Sequence, residues 1–397
     1  VYPFLNIKWR RRSLRVTNES WFQLDSTQSP FLAKNLKLFE QRHPHQVKSI
    51  KAASLDPYYF SHTENQFYAC RLHQETQDFF MHDSHTLPAT LRRFEQIANQ
   101  AVQSGSSLFA IVGHGLGYLA RHMEKAIRGD LSKGLILIEN RPELALAQFA
   151  LFDCTDLLHS HQIYWAIAPS VFSILETLFT QEGIFQIDEK QVVMVPGRSL
   201  SNEERVLYQQ FPQWYASARQ TYIRNYQHKR KAFDQRMTVP ANLSNGRIWS
   251  QAAAAAYAHA PLVRSLLEGF EQHGWQKQFM QLEDSYTTRF RILDAIIEFA
   301  PDLFLICNTA SDAFISRSIN RPRICWFLDN PRHFNDQSFP DRLHQLDHVF
   351  YADRAYAPGF ENTAAGSHQF LPVSSSLART GVYRRELAAP ILFVGSY

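Results

Sequence analysis

The residues whose types and spacing could do chemistry fall into two groups. In the first, an apolar run, Leu108 to Val112, opens onto Gly113-His114-Gly115-Leu116-Gly117-Tyr118, and a second run, Leu135 to Ile138, ends in Glu139. Glycines after a strand let the backbone turn tightly and approach a ligand beside a helix N-terminus, and an acid ending the next strand can hydrogen-bond a ribose hydroxyl. Gly113, Gly115, Gly117 and Glu139 are therefore the candidate nucleotide-binding residues. The spacing is Gly-x-Gly-x-Gly rather than Gly-x-Gly-x-x-Gly, which suits methyltransferase-like sheets better than dinucleotide-binding ones. Two uses of the pattern stay open: a pocket for a nucleotide or S-adenosylmethionine, or close packing of strand on helix with no ligand at all.

The second group follows later strands. Arg323 to Leu328 reads as a buried strand running into Asp329-Asn330-Pro331-Arg332-His333, and Val349 to Ala352 runs into Asp353. Ligands of parallel sheets bind beyond the carboxyl ends of the strands, which is where Asp329, Asn330, His333 and Asp353 fall. Asp329 before Asn330-Pro331 is also a natural turn former, and the two roles are compatible. His259 and His333 stand among 17 histidines, most of which must face solvent or a neighbour. Metal chemistry finds little support: there is no Asp-x-Asp element and no Gly-x-Ser-x-Gly elbow. Asp153-Cys154-Thr155-Asp156 reads as helix capping.

The elements that must position these groups alternate between strand and helix. Residues 1–85 read as short strands and turns, with Phe67 to Leu72 and Asp78 to Met81 as hairpin arms. An amphipathic helix from Pro88 buries Leu91, Phe94, Ile97, Ala98 and Ala101, and the α/β alternation runs on to about residue 200. A helical stretch, 202–237, leads to the turn-rich linker 238–246. Beyond it come a short strand from Arg247, a helix with Pro261 in its first turn and Gly274 after its last, a helix over 288–299 and the strand Leu303 to Cys307. The fold class is thus α/β, with two Rossmann-like parallel-sheet domains in tandem, 86–237 and 247–390. The run Ile391 to Val394 before Gly395 reads as the first strand of a further nucleotide-binding unit, and Val1 in place of Met reads as a start inside a longer protein.

Composition limits the classes. The 397 residues are 45% hydrophobic and 20% charged, enough for two or three cored domains, and the formal net charge of +4 is small. The basic clusters Lys8 to Arg15 and His228 to Lys231 do not make a nucleic-acid protein. No apolar run approaches the roughly 20 residues of a membrane helix. Cys70, Cys154, Cys307 and Cys325 show no Cys-x-x-Cys spacing, which fits a reducing cytoplasm.

The segments Ile324-Cys-Trp-Phe-Leu-Asp-Asn-Pro331, Asp347-His-Val-Phe-Tyr-Ala-Asp353, Phe370-Leu-Pro372 and Ile391-Leu-Phe-Val-Gly-Ser396 resemble the spore-maturation-protein (CgeB-like) glycosyltransferases. The preceding domain, through Gly113 to Tyr118 and Glu139, resembles the N-terminal domain of bacterial motility-accessory-factor glycosyltransferases. The resemblance implies a bacterial GT-B enzyme whose acceptor-side half spans residues 247–390, with the donor half beginning at Ile391. It implies transfer from a nucleotide sugar, without metal or other cofactor, to a hydroxyl of a glycan or protein. Asp329 and His333 are then the candidates for the base that takes the acceptor proton, with Asn330, Asp353 and His259 on the acceptor and Gly395 on the nucleotide. Against it stand an S-adenosylmethionine-dependent methyltransferase built on Gly113 to Glu139, and a binding scaffold without catalysis.

Overall fold

The computed structural model of the chain describes residues 21–26, 29–62, 67–73, 79–82, 86–198, 200–253, 259–282, 286–308, 315, 319–328 and 339–371. They divide into two compact units, the first holding residues up to 226 together with 286–291, the second holding the rest.

The first unit opens with α1 (Leu32–Arg42), α2 (Val47–Lys51) and an antiparallel sheet of β1 (Tyr58–His62), β2 (Tyr68–Leu72) and β3 (Phe79–His82), ordered β1-β2-β3. The two helices correct the reading of residues 1–85 as strands and turns alone. Their ordering force is tertiary: inside α1, Asn35 is buried and donates through Nδ2 to the carbonyls of Phe149 and Phe152 at 2.8 and 2.7 Å. Intrinsic helix preference is a weak prior beside such contacts.

Helix α3 (Leu87–Gln103) then leads into β4 (Leu108–Val112), α4 (Tyr118–Ile127), β5 (Gly134–Glu139), α5 (Pro142–Leu151), α6 (Thr155–His159), β6 (Ile163–Ile167), α7 (Val171–Gln181) and β7 (Val192–Pro196). The four strands are parallel in the order β6-β5-β4-β7. This is the third-second-first-fourth order of a Rossmann half, whose direction reverses between β4 and β7. The apolar runs are continuous because both faces are covered. Phe109, Ile111, Leu135, Leu137, Ile163 and Trp165 pack on one side with Phe39, Phe94, Leu119, Met123 and Phe149. Leu108, Ala110, Val112, Ile136, Ile138 and Tyr164 pack on the other with Leu175, Phe179, Phe211, Tyr215 and Tyr286. Each such buried Leu, Ile or Phe contributes roughly 1.5–3 kcal/mol.

Tyr286 closes that second face. Its ring lies where a side chain on Gly134 would project, with a Cβ there only 2.6 Å from Tyr286 Cδ1. The neighbouring Thr287 accepts from the Tyr164 hydroxyl at 3.0 Å and donates to Glu182 Oε2 at 2.7 Å.

Helix α8 (Asn202–Thr238) is a single 37-residue element, and the division between the units falls inside it, after residue 226 rather than within 238–246. Its last turn belongs with the second unit: buried Arg321 donates through Nη1 to the Met237 carbonyl at 3.2 Å and through Nη2 to that of Arg236 at 2.9 Å. A guanidinium on the final carbonyls satisfies groups that have no intrahelical partner.

The second unit continues with β8 (Arg247–Ala253), α9 (His259–Gln272), β9 (Gln276–Leu282), α10 (Thr288–Phe299), β10 (Leu303–Cys307), β11 (Arg323–Phe327), β12 (Asp347–Tyr351) and β13 (Ser367–Phe370). All six strands are parallel, ordered β13-β12-β11-β10-β8-β9. Strand β9 was missed in the sequence because Gln276-Lys-Gln-Phe-Met-Gln-Leu282 is polar, as an edge strand with one covered side can be. It pairs with β8 along its length, from Arg247↔Gln276 to Ala253↔Leu282, so that β8 is not the short strand expected. Helix α9 ends as its Gly274 announced: φ is +85°, Gly274 N–H donates to Glu271 O, and Trp275 N–H donates to Phe270 O. The Phe270 and Trp275 rings meet at 5.4 Å, the apolar contact that accompanies this cap.

Among the described residues no helix is long and apolar enough to cross a membrane. All four cysteines are buried free thiols.

Candidate functional site

At the carboxyl edge of the first sheet, Gly113, Gly115 and Gly117 have φ of +64°, +57° and +80°, so the loop is built on left-handed backbone that glycine adopts without penalty. Gly117 is the residue before α4. The loop therefore has the form expected of a ligand-binding turn, and the structure brings Glu139 to it. Glu139 Oε2 accepts from Gly115 N–H at 2.9 Å, and Oε1 accepts from Arg141 N–H at 3.2 Å.

What surrounds that acid is the chain itself. Arg198, just past β7, enters the crevice where the strand order reverses and is buried, as is Glu139. Arg198 Nη2 donates to Glu139 Oε1 at 3.0 Å and also bonds Glu204 Oε1, while Nη1 donates to Glu204 Oε2 at 2.9 Å. Glu204 in turn accepts from Arg141 Nε at 3.1 Å and from Ser201 N–H at 2.7 Å. Ser201 Oγ accepts from Glu204 N–H at 3.3 Å, so Ser201 and Glu204 form a reciprocal capping box at the start of α8. The cluster balances two carboxylates against two guanidinium groups, the condition for holding charge in a low-dielectric interior.

The glycines face side chains too. A Cβ on Gly113 would lie 2.6 Å from Leu200 Cδ2, and one on Gly117 would lie 2.0 Å from Gln148 Nε2. His114 is fully buried, its Nε2 2.9 Å from Gln148 Oε1 and its ring edge-on to Trp165 at 5.5 Å.

These surroundings set the protonation states. Burial raises Glu139 against the pull of Arg198. At Glu204 burial also raises, but the charge and hydrogen bonds of Arg198 and the Ser201 amide prevail and hold the carboxyl down to about 2. Of the two acids sharing Arg198, Glu204 takes both guanidinium nitrogens and carries the deeper charge. Burial lowers His114 to about 3, opposed by its bond to Gln148, so the imidazole is neutral. Arg198, Glu204 and Gln148 were not singled out in the sequence. The Ser201-x-x-Glu204 spacing was the signal available for one of them; nothing local marks Arg198 as the partner of an acid 59 positions earlier.

At the second sheet the strand order reverses between β8 and β10. Beyond β10, Asn308 adopts φ +54° and its Oδ1 accepts from Leu328 N–H at 2.7 Å, while its own N–H donates to Trp326 O at 3.0 Å. Asn308 thus ties the carboxyl ends of β10 and β11 together, and it too went unnoticed in the sequence, although Asn is the non-glycine residue most at ease in that backbone region. Asp353 lies past the carboxyl end of β12 and is exposed. Its Oδ1 accepts from Ala355 N–H at 2.9 Å, capping the short 3-10 turn Arg354–Gly359. His259 begins α9, the helix that follows β8. Asp329, Asn330, His333 and Gly395 lie outside the described residues, as does the run Ile391 to Val394.

Among the described residues no cluster of His, Cys, Asp and Glu could hold a metal ion. No family model matches the chain, and no curated protein or solved structure compared with it is significantly similar.

Proposed function

We propose that the chain forms the acceptor side of a GT-B glycosyltransferase, which passes a sugar from a nucleotide sugar to a hydroxyl of a glycan or protein. The observation that carries this reading is the carboxyl edge of the second sheet. Six parallel strands reverse their order between β8 and β10, the geometry at which such sheets bind ligands. Asn308 fixes Leu328, the residue before Asp329, at that edge, and Asp353 stands exposed past β12 on the same edge.

On this reading Asp329 or His333 takes the proton of the acceptor hydroxyl as its oxygen bonds to the anomeric carbon, and the nucleoside diphosphate leaves. Asn330, Asp353 and His259 orient the acceptor. Use of the first sheet for methyl transfer has less support, because both Glu139 oxygens, which would meet a ribose, are already engaged.

The test is turnover by the full-length protein with a panel of nucleotide sugars and glycan or peptide acceptors, read as acceptor-dependent release of nucleoside diphosphate. Removal of a general base should lower kcat about 10²–10⁴-fold in Asp329→Ala or His333→Ala. If neither substitution changes kcat, the catalytic assignment fails; if no nucleotide sugar is consumed, the class fails.

A further inference from the structure

The first sheet offers a second inference, independent of the glycosyltransferase reading. Its crevice has every backbone feature of a nucleotide site: a reversal of strand order between β4 and β7, three left-handed glycines and an acid at the end of β5. Each feature is nevertheless engaged from within. The Gly115 amide, which in such loops faces an anionic ligand, donates to Glu139. The hollows beside Gly113 and Gly117 hold Leu200 and Gln148. Between Glu139 and Glu204 lies a planar cation of the chain itself, bonded through both terminal nitrogens of Arg198.

We propose that this crevice is a guanidinium site occupied in cis by Arg198, and that it takes no nucleotide, dinucleotide or S-adenosylmethionine. The recognition is that of a planar cation by facing carboxylates, a fit that a fork of N–H donors makes and a compact ammonium does not. The glycines keep a second role, since they let the turn approach Leu200 and Gln148 closely enough to shut out water. The capping box ties the site to α8, because the carboxylate that holds Arg198 also receives the Ser201 amide at the start of that helix.

Chemical rescue of the full-length protein tests this directly. Arg198→Ala leaves two buried carboxylates without their shared cation and should lower Tm by about 10 °C. Guanidinium chloride at about 20 mM should return a large part of that loss by binding the emptied site, while equal sodium chloride should not, and wild-type Tm should not rise. Should Arg198→Ala fail to fold, Arg198→Lys keeps the charge without the fork of donors and is expected to fold with a Tm below wild type, and a Tm equal to wild type would overturn the proposal. Recovery no greater with guanidinium than with sodium would overturn the proposal. So would a rise in wild-type Tm with ATP, NAD or S-adenosylhomocysteine that Glu139→Gln abolishes; unchanged Tm with all of them is the expected result.

Discussion

At the carboxyl edge of the first sheet, Glu139, Arg198 and Glu204 are no more than 1% exposed and bond one another; at the same edge of the second, Asp353 faces solvent and bonds only its own turn among the described partners. The two sheets are alike in backbone, parallel and reversing order once, yet among the described residues the first turns Glu139, Arg198 and Glu204 inward while the second shows Asp353 to solvent. Buried polar groups must find partners, so a site that has closed on itself is held by large energies and tolerates little change. A group that faces solvent costs less to alter, and binding residues on loops outside a rigid sheet are the usual arrangement. Shared topology thus does not imply shared use.

The sharpest test of this contrast sets the two acids side by side. Glu204→Ala leaves buried Arg198 with Glu139 alone and should cost about 3–5 kcal/mol in urea unfolding, whereas Asp353→Ala removes an exposed cap and should cost about 1 kcal/mol or less. Equal losses would erase the distinction. Gly117→Ala comes next: it forces a side chain onto Gln148 in left-handed backbone, for about 3 kcal/mol. If Gln148→Ala in the same chain recovers none of that loss, the crevice is not packed as described.

Acid titration sharpens the comparison through the first unit alone. His114 and His43 are both lowered to about 3, the latter by burial and then by the charge of Arg42. Below pH 6.5 the unfolded chain protonates both, while the folded chain keeps them neutral down to about 3. Stability should therefore fall as pH drops through that window, by about 1.4 kcal/mol per pH unit for each group. His43→Phe should lessen the slope by about 1.4 kcal/mol per pH unit; a slope that does not change would show that the burial of His43 does not govern it. Glu204, lowered from the carboxylate range to about 2, adds a further loss below about pH 4.5. A small effect also belongs to the second unit, where a side chain from Gly274→Ala meets Asn245 Cβ only at ordinary contact, 3.7 Å, and should cost only the left-handed strain of about 1 kcal/mol.

How much of this was legible in the sequence depended on whether its cause was local. The runs Leu108 to Val112 and Leu303 to Cys307 declare strands because a sheet covered on both faces needs continuous apolar residues. Gly274 marks a helix end by chemistry contained within a turn; Ser201-x-x-Glu204 does so too, but that signal went unread. Helix α1 was hidden because Asn35 is ordered by carbonyls more than 100 positions away. Edge strand β9 was hidden by its polarity. The glycine loop was found, but its occupant was not, since Glu139 and Arg198 meet only after β4, β5 and β7 have paired.

The position of Tyr286 also has a consequence for synthesis. The ribosome delivers every strand of the first sheet by Pro196, yet the face that holds Leu108, Ile136 and Tyr164 lacks part of its cover until Tyr286 and Thr287 emerge, after β8, α9 and β9. Over that interval the nascent chain presents apolar surface that chaperones recognise and that promotes aggregation. In the full-length chain Tyr286→Asp is therefore expected to raise the fraction that pellets on translation in vitro; unchanged solubility would show that the strap is dispensable. The first unit, though first in the sequence, is completed only when much of the second has been made.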